Sequence, residues 1–256
     1  MESPIISVVM PAYNCSKTIA QAVDSVRGQH VDWELLIVED KSKDSTLEVL
    51  EAYKEDKRIR ILQNPCNMGA AKSRNRGVQE ARGKYIAFLD ADDWWTEDKL
   101  EKQLKIMEKT GCVLCSTARE LVNRNGESAG KIIGVDRRIT YHKLLYGNQI
   151  NCSSVLVRRD IMLRYPMTHE DSHEDYIAWL SILKEHGDAV GINEPMLKYR
   201  MDFSSKSGNK GKSAMMHYKA LRYAGVGRCR AWIYFCSYAV KGVLKYMGIQ
   251  MKQHGG

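Results

Sequence analysis

Four short apolar runs, each followed by a polar turn, alternate with amphipathic stretches through the first hundred residues, and this alternation limits the fold more than any other feature. "ISVVMPAYN" is a strand entering a loop, and "KTIAQAVDSVRGQ" is a helix stopped near Gly28. "ELLIVEDKS" and "STLEVLEAYKED" repeat the pair. "IRILQN" and "GAAKSRNRGVQEARG" repeat it again, with the third helix ending at Gly83, and "KYIAFLDADD" supplies a fourth strand. Such an order specifies an α/β fold, a mostly parallel central sheet with helices on both faces. Ligands of these sheets sit beyond the carboxyl ends of the strands. Here those ends read "PAYN", "EDKS", "QNPCNMG" and "DADD", and they are expected to converge on one site.

The fourth strand is the most informative. Tyr85 to Leu89 form a continuous apolar run, the pattern of a strand buried on both faces. Residues two apart in a strand share a face, so Asp90 and Asp92 are expected to project together and Asp93 the other way. Adjacent carboxylates repel unless a cation lies between them. Mg²⁺ or Mn²⁺ suits that place, because both take carboxylate oxygens and share them with substrate phosphates. A solvated acidic turn is the plainer alternative. Asp40, after "LLIVE", can accept hydrogen bonds from a base such as uracil or orient a basic side chain. Asn67 and Gly69 open a flexible approach to a helix carrying Lys72, Arg74 and Arg76, and helix N-termini and arginines both suit phosphate. Together these parts fit a nucleoside diphosphate. Neither GxxxxGK[ST] nor GxGxxG after the first strand is present.

The second half is less regular. "WTEDKLEKQLKIMEKTG" reads as a helix capped by Thr96, and "EDYIAWLSILKEHG" as a strongly amphipathic one. "VLCSTA", "SSVLVRR" and "AVGINEPMLKYRM" read as strands. Seven scattered cysteines fit a reducing compartment. Cys112 and Cys115 would fall on opposite faces of a strand, wrong for a shared metal. No signal-peptide pattern opens the chain, so the expected location is cytoplasmic. Charge divides the chain: from Lys198 onward twelve Lys or Arg face one acid, a net +11, leaving −3 of the total +8 for the first 197 residues. The basic end suggests an anionic partner, whether a membrane surface, a phosphorylated acceptor or nucleic acid. Ala231 to Ile249 is apolar except for Lys241 and Lys245 and too short in its charge-free run to span a bilayer. It reads as an interfacial helix or as one packed on its own domain.

The motifs "SVVMPAYN", "VEDKSKDST", "NMGAAKSRNRG", "YIAFLDADD" and "HEDYIAWL" stand in the order found in inverting family 2 glycosyltransferases of the GT-A (Rossmann-like) fold, which the chain resembles over roughly residues 5 to 210. "YRMDFSSKSGNK" is similar to the end of bacterial members that build cell-wall or capsular polysaccharide, including those of the teichuronic acid type. The resemblance implies a catalytic domain over 1–210 and a basic helical extension over 211–256. It implies that Pro11, Ala12 and Tyr13 frame the nucleobase of a UDP-sugar, with Asp40 on its imide edge. Asn67, Gly69, Arg74 and Ala91 would complete the donor site. Asp90 would approach the ribose or the metal, and Asp92 would ligate Mn²⁺ or Mg²⁺. Asp175 would be the general base toward a saccharide or lipid-linked acceptor. Trp94 and Trp95 would line the sugar pocket unless one packs in the core, with His173 and Glu174 near the acceptor. Asp202 stands where many members carry a metal-completing histidine, so Asp202 or water would take that place. A lipid-linked acceptor would put the protein at the inner face of the cytoplasmic membrane, with no nucleic-acid partner.

Two other readings compete. "HEDSH", residues 169–173, matches the zinc-peptidase pattern H-E-x-x-H, which needs His169 and His173 on one helix. Ser172 with Asp175 reads instead as a capping box starting the helix there, with Thr168 and Asp171 as a rival cap. A non-catalytic nucleotide- or membrane-binding adaptor on the same sheet is the other.

Overall fold

The computed structural model describes residues 3–201 and 210–238, with backbone alone at 210–212. The first half follows the expected alternation: β1 (Ile6–Ala12), α1 (Ile19–Arg27), β2 (Trp33–Glu39), α2 (Thr46–Glu51), β3 (Ile59–Gln63), α3 (Ala70–Glu80) and β4 (Tyr85–Phe88). A short β5 (Trp94–Trp95), α4 (Lys99–Thr110), β6 (Leu114–Val122), β7 (Ser128–Ile133) and β8 (Arg138–Ile139) follow. Then come α5 (Tyr141–Leu145), a 3₁₀ turn at Cys152–Ser154, β9 (Leu156–Arg158), α6 (Arg159–Met162), α7 (Glu174–His186), β10 (Ala189–Arg200) and α8 (Lys210–Tyr223).

The strands form one sheet in the order β3-β2-β1-β4-β9-β6-β10-β5, with β7 on β6 and β8 on β10. β1 to β4 are mutually parallel, as are β6 and β10, while the short β9 joins the two blocks antiparallel to each. Parallel pairing demands strands buried on both faces. All seven residues of β2 and all four of β4 are buried. Alternate residues feed two cores: Val9, Ile86 and Phe88 enter one, Val8, Met10 and Ala87 the other. Phe88 meets Trp179 of α7 at 6.2 Å between centroids, a burial worth about 1.5–3 kcal/mol for the phenyl alone.

Three boundaries shift for identifiable reasons. α3 stops at Glu80, not Gly83, because the Arg82 and Gly83 amides donate to Glu34 Oε1 (2.7 Å) and Ser7 Oγ (2.8 Å) instead of continuing the helix. Thr96 does not cap α4. Asp98 holds that position, and the Thr96 hydroxyl donates to the Asp98 carboxylate. α7 is apolar nearly all round rather than amphipathic. It lies between the sheet and the helices α5 and α8, where Tyr176 Oη donates to Leu144 O at 2.6 Å and the Tyr176 ring stacks on His217. The expected domain boundary at 210 falls where α8 begins, and α8 gives Met216, Ala220 and Leu221 to the buried core. No helix among the described residues is long and apolar enough to cross a membrane.

β1 is flanked by β2 on one side and β4 on the other, so the strand order reverses there. A reversal opens a crevice at the carboxyl ends of the two central strands. α3 is drawn tightly onto β1 at Gly77, where an added Cβ would lie 2.4 Å from Val9 Cγ1. That close approach sets the depth of Arg74, one turn earlier on the same helix.

Candidate active site

The crevice is a cavity of about 1000 Å³. Pro11, Ala12, Tyr13, Asp40, Asn67, Gly69, Arg74, Asp90, Ala91 and Asp92, the residues expected at a donor site, all line it. The four strand ends therefore meet. Of the three cations expected on α3, Arg74 alone lines the cavity. Arg76 donates to Gln63 O and Asn64 Oδ1 at the end of β3, and Lys72 faces solvent.

Asp40 is 3% exposed and already accepts three hydrogen bonds, from Asn64 Nδ2 (2.7 Å), Met68 N (2.7 Å) and Gly69 N (2.8 Å). It fixes the loop that enters α3. Gly69 in that loop has φ +87°, a conformation open to glycine at no steric cost. Glu39, its neighbour, is buried and turns the chain by accepting from Ser42 N.

The three acids after β4 are not in a strand. Residues 90–93 form a turn closed by Asp93 N donating to Asp90 O at 3.0 Å, so strand alternation does not govern them. Asp90 and Asp92 nevertheless both line the cavity. Asp93 points inward at 2% exposure, with Oδ1 accepting from Arg200 N and Oδ2 buried without a partner. Burial, then the charges of Asp92 and Asp90, push the Asp93 carboxyl well above the usual carboxylate range. Two oxygen donors facing an open cavity fit a hard divalent cation that takes its other ligands from phosphate and water. Among the described residues no group of three His, Cys, Asp or Glu gathers to hold a metal, and Asp202 lies outside those residues.

Arg74 joins the two halves of the site. Its Nη2 donates to Asp90 Oδ1 at 2.5 Å and its Nη1 to Glu174 Oε1 at 3.4 Å, while Nε is buried without a partner. Burial opposes its charge, but the carboxylates of Asp90 and Glu174 outweigh burial and hold the guanidinium charged. Glu174 and Asp175 open α7. Asp175 is pushed up to about 6, by burial first and by the Glu174 charge second, against the pull of Arg74 and His173. A helix start alone would have favoured the charged form. Burial wins here.

Neither expected cap of α7 forms. His173 holds the N-cap position without a side-chain bond, Ser172 Oγ donates to Met216 O, and Asp171 pairs with Lys219. The zinc-peptidase reading fails on the same stretch: α7 begins at Glu174, so His169 and His173 do not share a helix, and His169 stacks on Tyr223 instead. Of the two tryptophans, one packs in the core, the alternative that the sequence left open. Trp95 is in the core, donating to Ser153 O at 2.7 Å beneath Lys99, and Trp94 lies against Arg200; neither lines the cavity.

Two contributors come from far along the chain. Arg200, at the end of β10, lines the cavity and braces the acidic turn, its Nε donating to Asp92 O (2.9 Å) and its Nη2 to Gln21 Oε1 (2.8 Å). Ser153 Oγ accepts from Asp90 N at 3.1 Å. The "YR" that ends the last strand was the signal available for Arg200. For Ser153 the sequence held none.

This sheet order, with a cavity at the reversal lined by an acid pair, is a GT-A fold. Solved structures share the fold: Staphylococcus aureus TarS 1-349 in complex with UDP-GlcNAc superposes with a TM-score of 0.71 at 18% identity, covering 91% of this chain and 71% of that one. The mannosyltransferase PcManGT from Pyrobaculum calidifontis, in complex with GDP-Man and Mn²⁺, gives 0.66 at 14% identity, covering 98% and 81%. The profile of the family described as "Glycosyl transferase family 2" matches residues 7–164, and the chain belongs to that family. Its curated relatives are glycosyltransferases, as is this protein. "Putative teichuronic acid biosynthesis glycosyltransferase TuaG" of Bacillus subtilis is 38% identical over 213 residues, 82% of this chain and 84% of TuaG. The Escherichia coli UDP-Glc:alpha-D-GlcNAc-diphosphoundecaprenol beta-1,3-glucosyltransferase WfgD is 36% identical over 251 residues, 96% of each.

Proposed function

We propose that this glycosyltransferase moves a sugar from a UDP-sugar to a hydroxyl of a lipid-linked saccharide in bacterial surface-polysaccharide synthesis, with inversion at the anomeric carbon. The observation that carries the reading is the Arg74 guanidinium, which ties the cavity-lining Asp90 to Glu174, the neighbour of Asp175 at the start of α7; Glu174 and Asp175 do not themselves line the cavity. A donor diphosphate held at Asp90, Asp92 and Arg74 would share the Arg74 charge with the Asp175 carboxyl, which stands near 6. Asp175 takes the proton of the acceptor hydroxyl as its oxygen bonds to the anomeric carbon, and the bond from that carbon to the diphosphate oxygen breaks with UDP leaving. Asp90 and Asp92 would hold Mn²⁺ or Mg²⁺, which supplies positive charge to the departing diphosphate. Pro11, Ala12 and Tyr13 wall the nucleobase end, and Asp40 shapes it through Met68 and Gly69. The names of WfgD and of the TarS complex support a UDP-sugar.

Thermal shift with UDP, GDP, CMP and dTDP, each with and without Mn²⁺, tests the donor. UDP at about 100 times its dissociation constant should add roughly 2.7 kcal/mol, raising Tm by roughly 5–10 °C for a chain of this size. Asp92→Asn should erase the Mn²⁺-dependent part of that rise. A flat response to every nucleotide would remove the transferase assignment of this cavity and favour the adaptor.

A lipid-linked acceptor is best met at an anionic membrane face. Residues 228–238 are helical, with Ala231 buried, Tyr234 edge-on to Tyr146 and Tyr238 stacked on His217. The other side exposes Trp232 and Ile233 beside Arg228 and Arg230, an aromatic-basic pairing suited to a lipid headgroup layer. Lys241 and Lys245 lie outside the described residues. Neutralising those two lysines should weaken binding to phosphatidylglycerol vesicles by on the order of 30-fold, with UDP binding unchanged. If the parent chain does not sediment with such vesicles, the surface is structural.

A further inference from the structure

The turn at residues 169–173, which leads directly into Asp175, is gripped by α8 at one contact per helical turn. His173 Nε2 lies 3.5 Å from Ser213 Oγ, and Ser172 Oγ donates to Met216 O at 2.9 Å. Asp171 accepts from Lys219 Nζ at 2.7 Å and from Tyr223 Oη at 3.2 Å. Finally the His169 ring lies flat on the Tyr223 ring, 3.7 Å away and 5° from parallel. The helix partners step by three or four residues, so they form one face of α8, and the turn runs antiparallel along it.

The grip matters because the turn is bent where a histidine resists bending. His169 has φ +65°, in the left-handed region, a conformation that is strained for a non-glycine residue and persists only where surroundings impose it. Its stacking on Tyr223 is the imposing contact. On its other side the turn presses the donor cavity: the Glu170 carboxylate lies 3.1 Å from where a Cβ on Gly69 would be. A five-residue turn therefore touches α8 on one side and the donor loop on the other, and it delivers Asp175 at its end.

We propose that α8 is a clamp whose Tyr223 and Lys219 are positioning residues, holding the 169–173 turn so that Asp175 is aimed into the site; the proposal rests on Asp175 being the base. Its contacts are suited to aiming rather than to stability. The Lys219–Asp171 pair is 43% and 50% exposed, and exposed ion pairs add little to stability. A base displaced by about 1 Å, by contrast, loses up to roughly a hundredfold in rate.

The test measures kcat for UDP release from UDP-glucose with a GlcNAc-diphosphate lipid as acceptor, on full-length Tyr223→Ala, Lys219→Ala and Asp175→Asn chains. Tyr223→Ala should lower kcat by about ten- to a hundredfold, with Tm and UDP-induced shift close to the parent's. Lys219→Ala should do the same to a smaller degree. Adding His169→Gly to Tyr223→Ala should restore much of the rate, because glycine holds a positive φ without a ring to pin it. Unchanged kcat in both clamp variants, with Asp175→Asn inactive, overturns the clamp and leaves the base in place. A fall in kcat that tracks a fall in Tm and is not rescued by His169→Gly also overturns it, since α8 would then be ordinary packing. Activity in Asp175→Asn itself removes the base and the clamp's purpose with it.

Discussion

Asp175→Asn is expected to lose transfer by roughly two to four orders of magnitude while the protein stays as stable as the parent or gains stability. Asparagine keeps the size and hydrogen bonding of the side chain but cannot take a proton from the acceptor. The stability half of the expectation follows from the carboxyl being pushed up to about 6, chiefly by burial and then by Glu174. A carboxyl raised above its unfolded value binds more protons folded than unfolded across that interval, so its contribution falls as pH rises through about 6. At pH 8 the charged form is the costly one, and asparagine removes that cost. A capping carboxylate would behave oppositely, keeping near-parent turnover and losing at most about 1 kcal/mol on substitution. The structure already weighs against capping, since Asp175 Oδ1 accepts from the adjacent Tyr176 N rather than from an amide two or three residues on. Rate against pH gives a second readout. The acid limb of kcat/KM should fall with a midpoint near 6. Glu174→Gln should move that midpoint to lower pH, because the Glu174 charge is one cause of the rise. Near-parent turnover in Asp175→Asn would mean that another group takes the proton.

The parts of this protein legible in its sequence were those written by local patterns. Continuous apolar runs ended by turn residues placed β1 to β4, and with them the convergence of four strand ends on one cavity. The acid pair reached its expected place by a different route. Asp90 and Asp92 face the cavity because a closed turn carries them there, not because strand residues alternate. Where side chains answer to partners far along the chain, local pattern gave the wrong answer. Ser172 and Asp175 match a capping box, but the Ser172 hydroxyl is taken by Met216, 44 residues on. Trp94 and Trp95 follow the acidic turn in sequence yet pair with β10, which turns Trp95 into the core and sets Trp94 against Arg200. α7 looked one-sided because its cover, α5 on one flank and α8 on the other, comes from segments with no periodic link to it.

Arg74→Met should be the most destabilising single change in the site, and it should alter the pH dependence as well as the fold. The guanidinium is nearly buried at 8% exposure, between Asp90 at 31% and Glu174 at 12%. Removing one partner of a buried ion pair leaves the other charge uncompensated, at a cost of about 3–5 kcal/mol, or roughly 6–20 °C in Tm for a chain of this length. UDP binding should weaken at the same time, since the diphosphate loses the guanidinium that the cavity presents beside Asp90. Arg74 also pulls the Asp175 carboxyl down, so any residual activity should show its acid limb at higher pH than the parent's. Arg74→Lys keeps the charge but loses the planar fork that spans two carboxylates, so it should keep the acid limb near the parent's while still weakening UDP. Adding Asp90→Asn and Glu174→Gln to Arg74→Met should recover much of the lost Tm, because the penalty lies in the orphaned charges rather than in the missing methylene contacts. A Tm loss that persists in the triple variant would assign Arg74 to packing, and the link between the acidic turn and the base would then need another carrier.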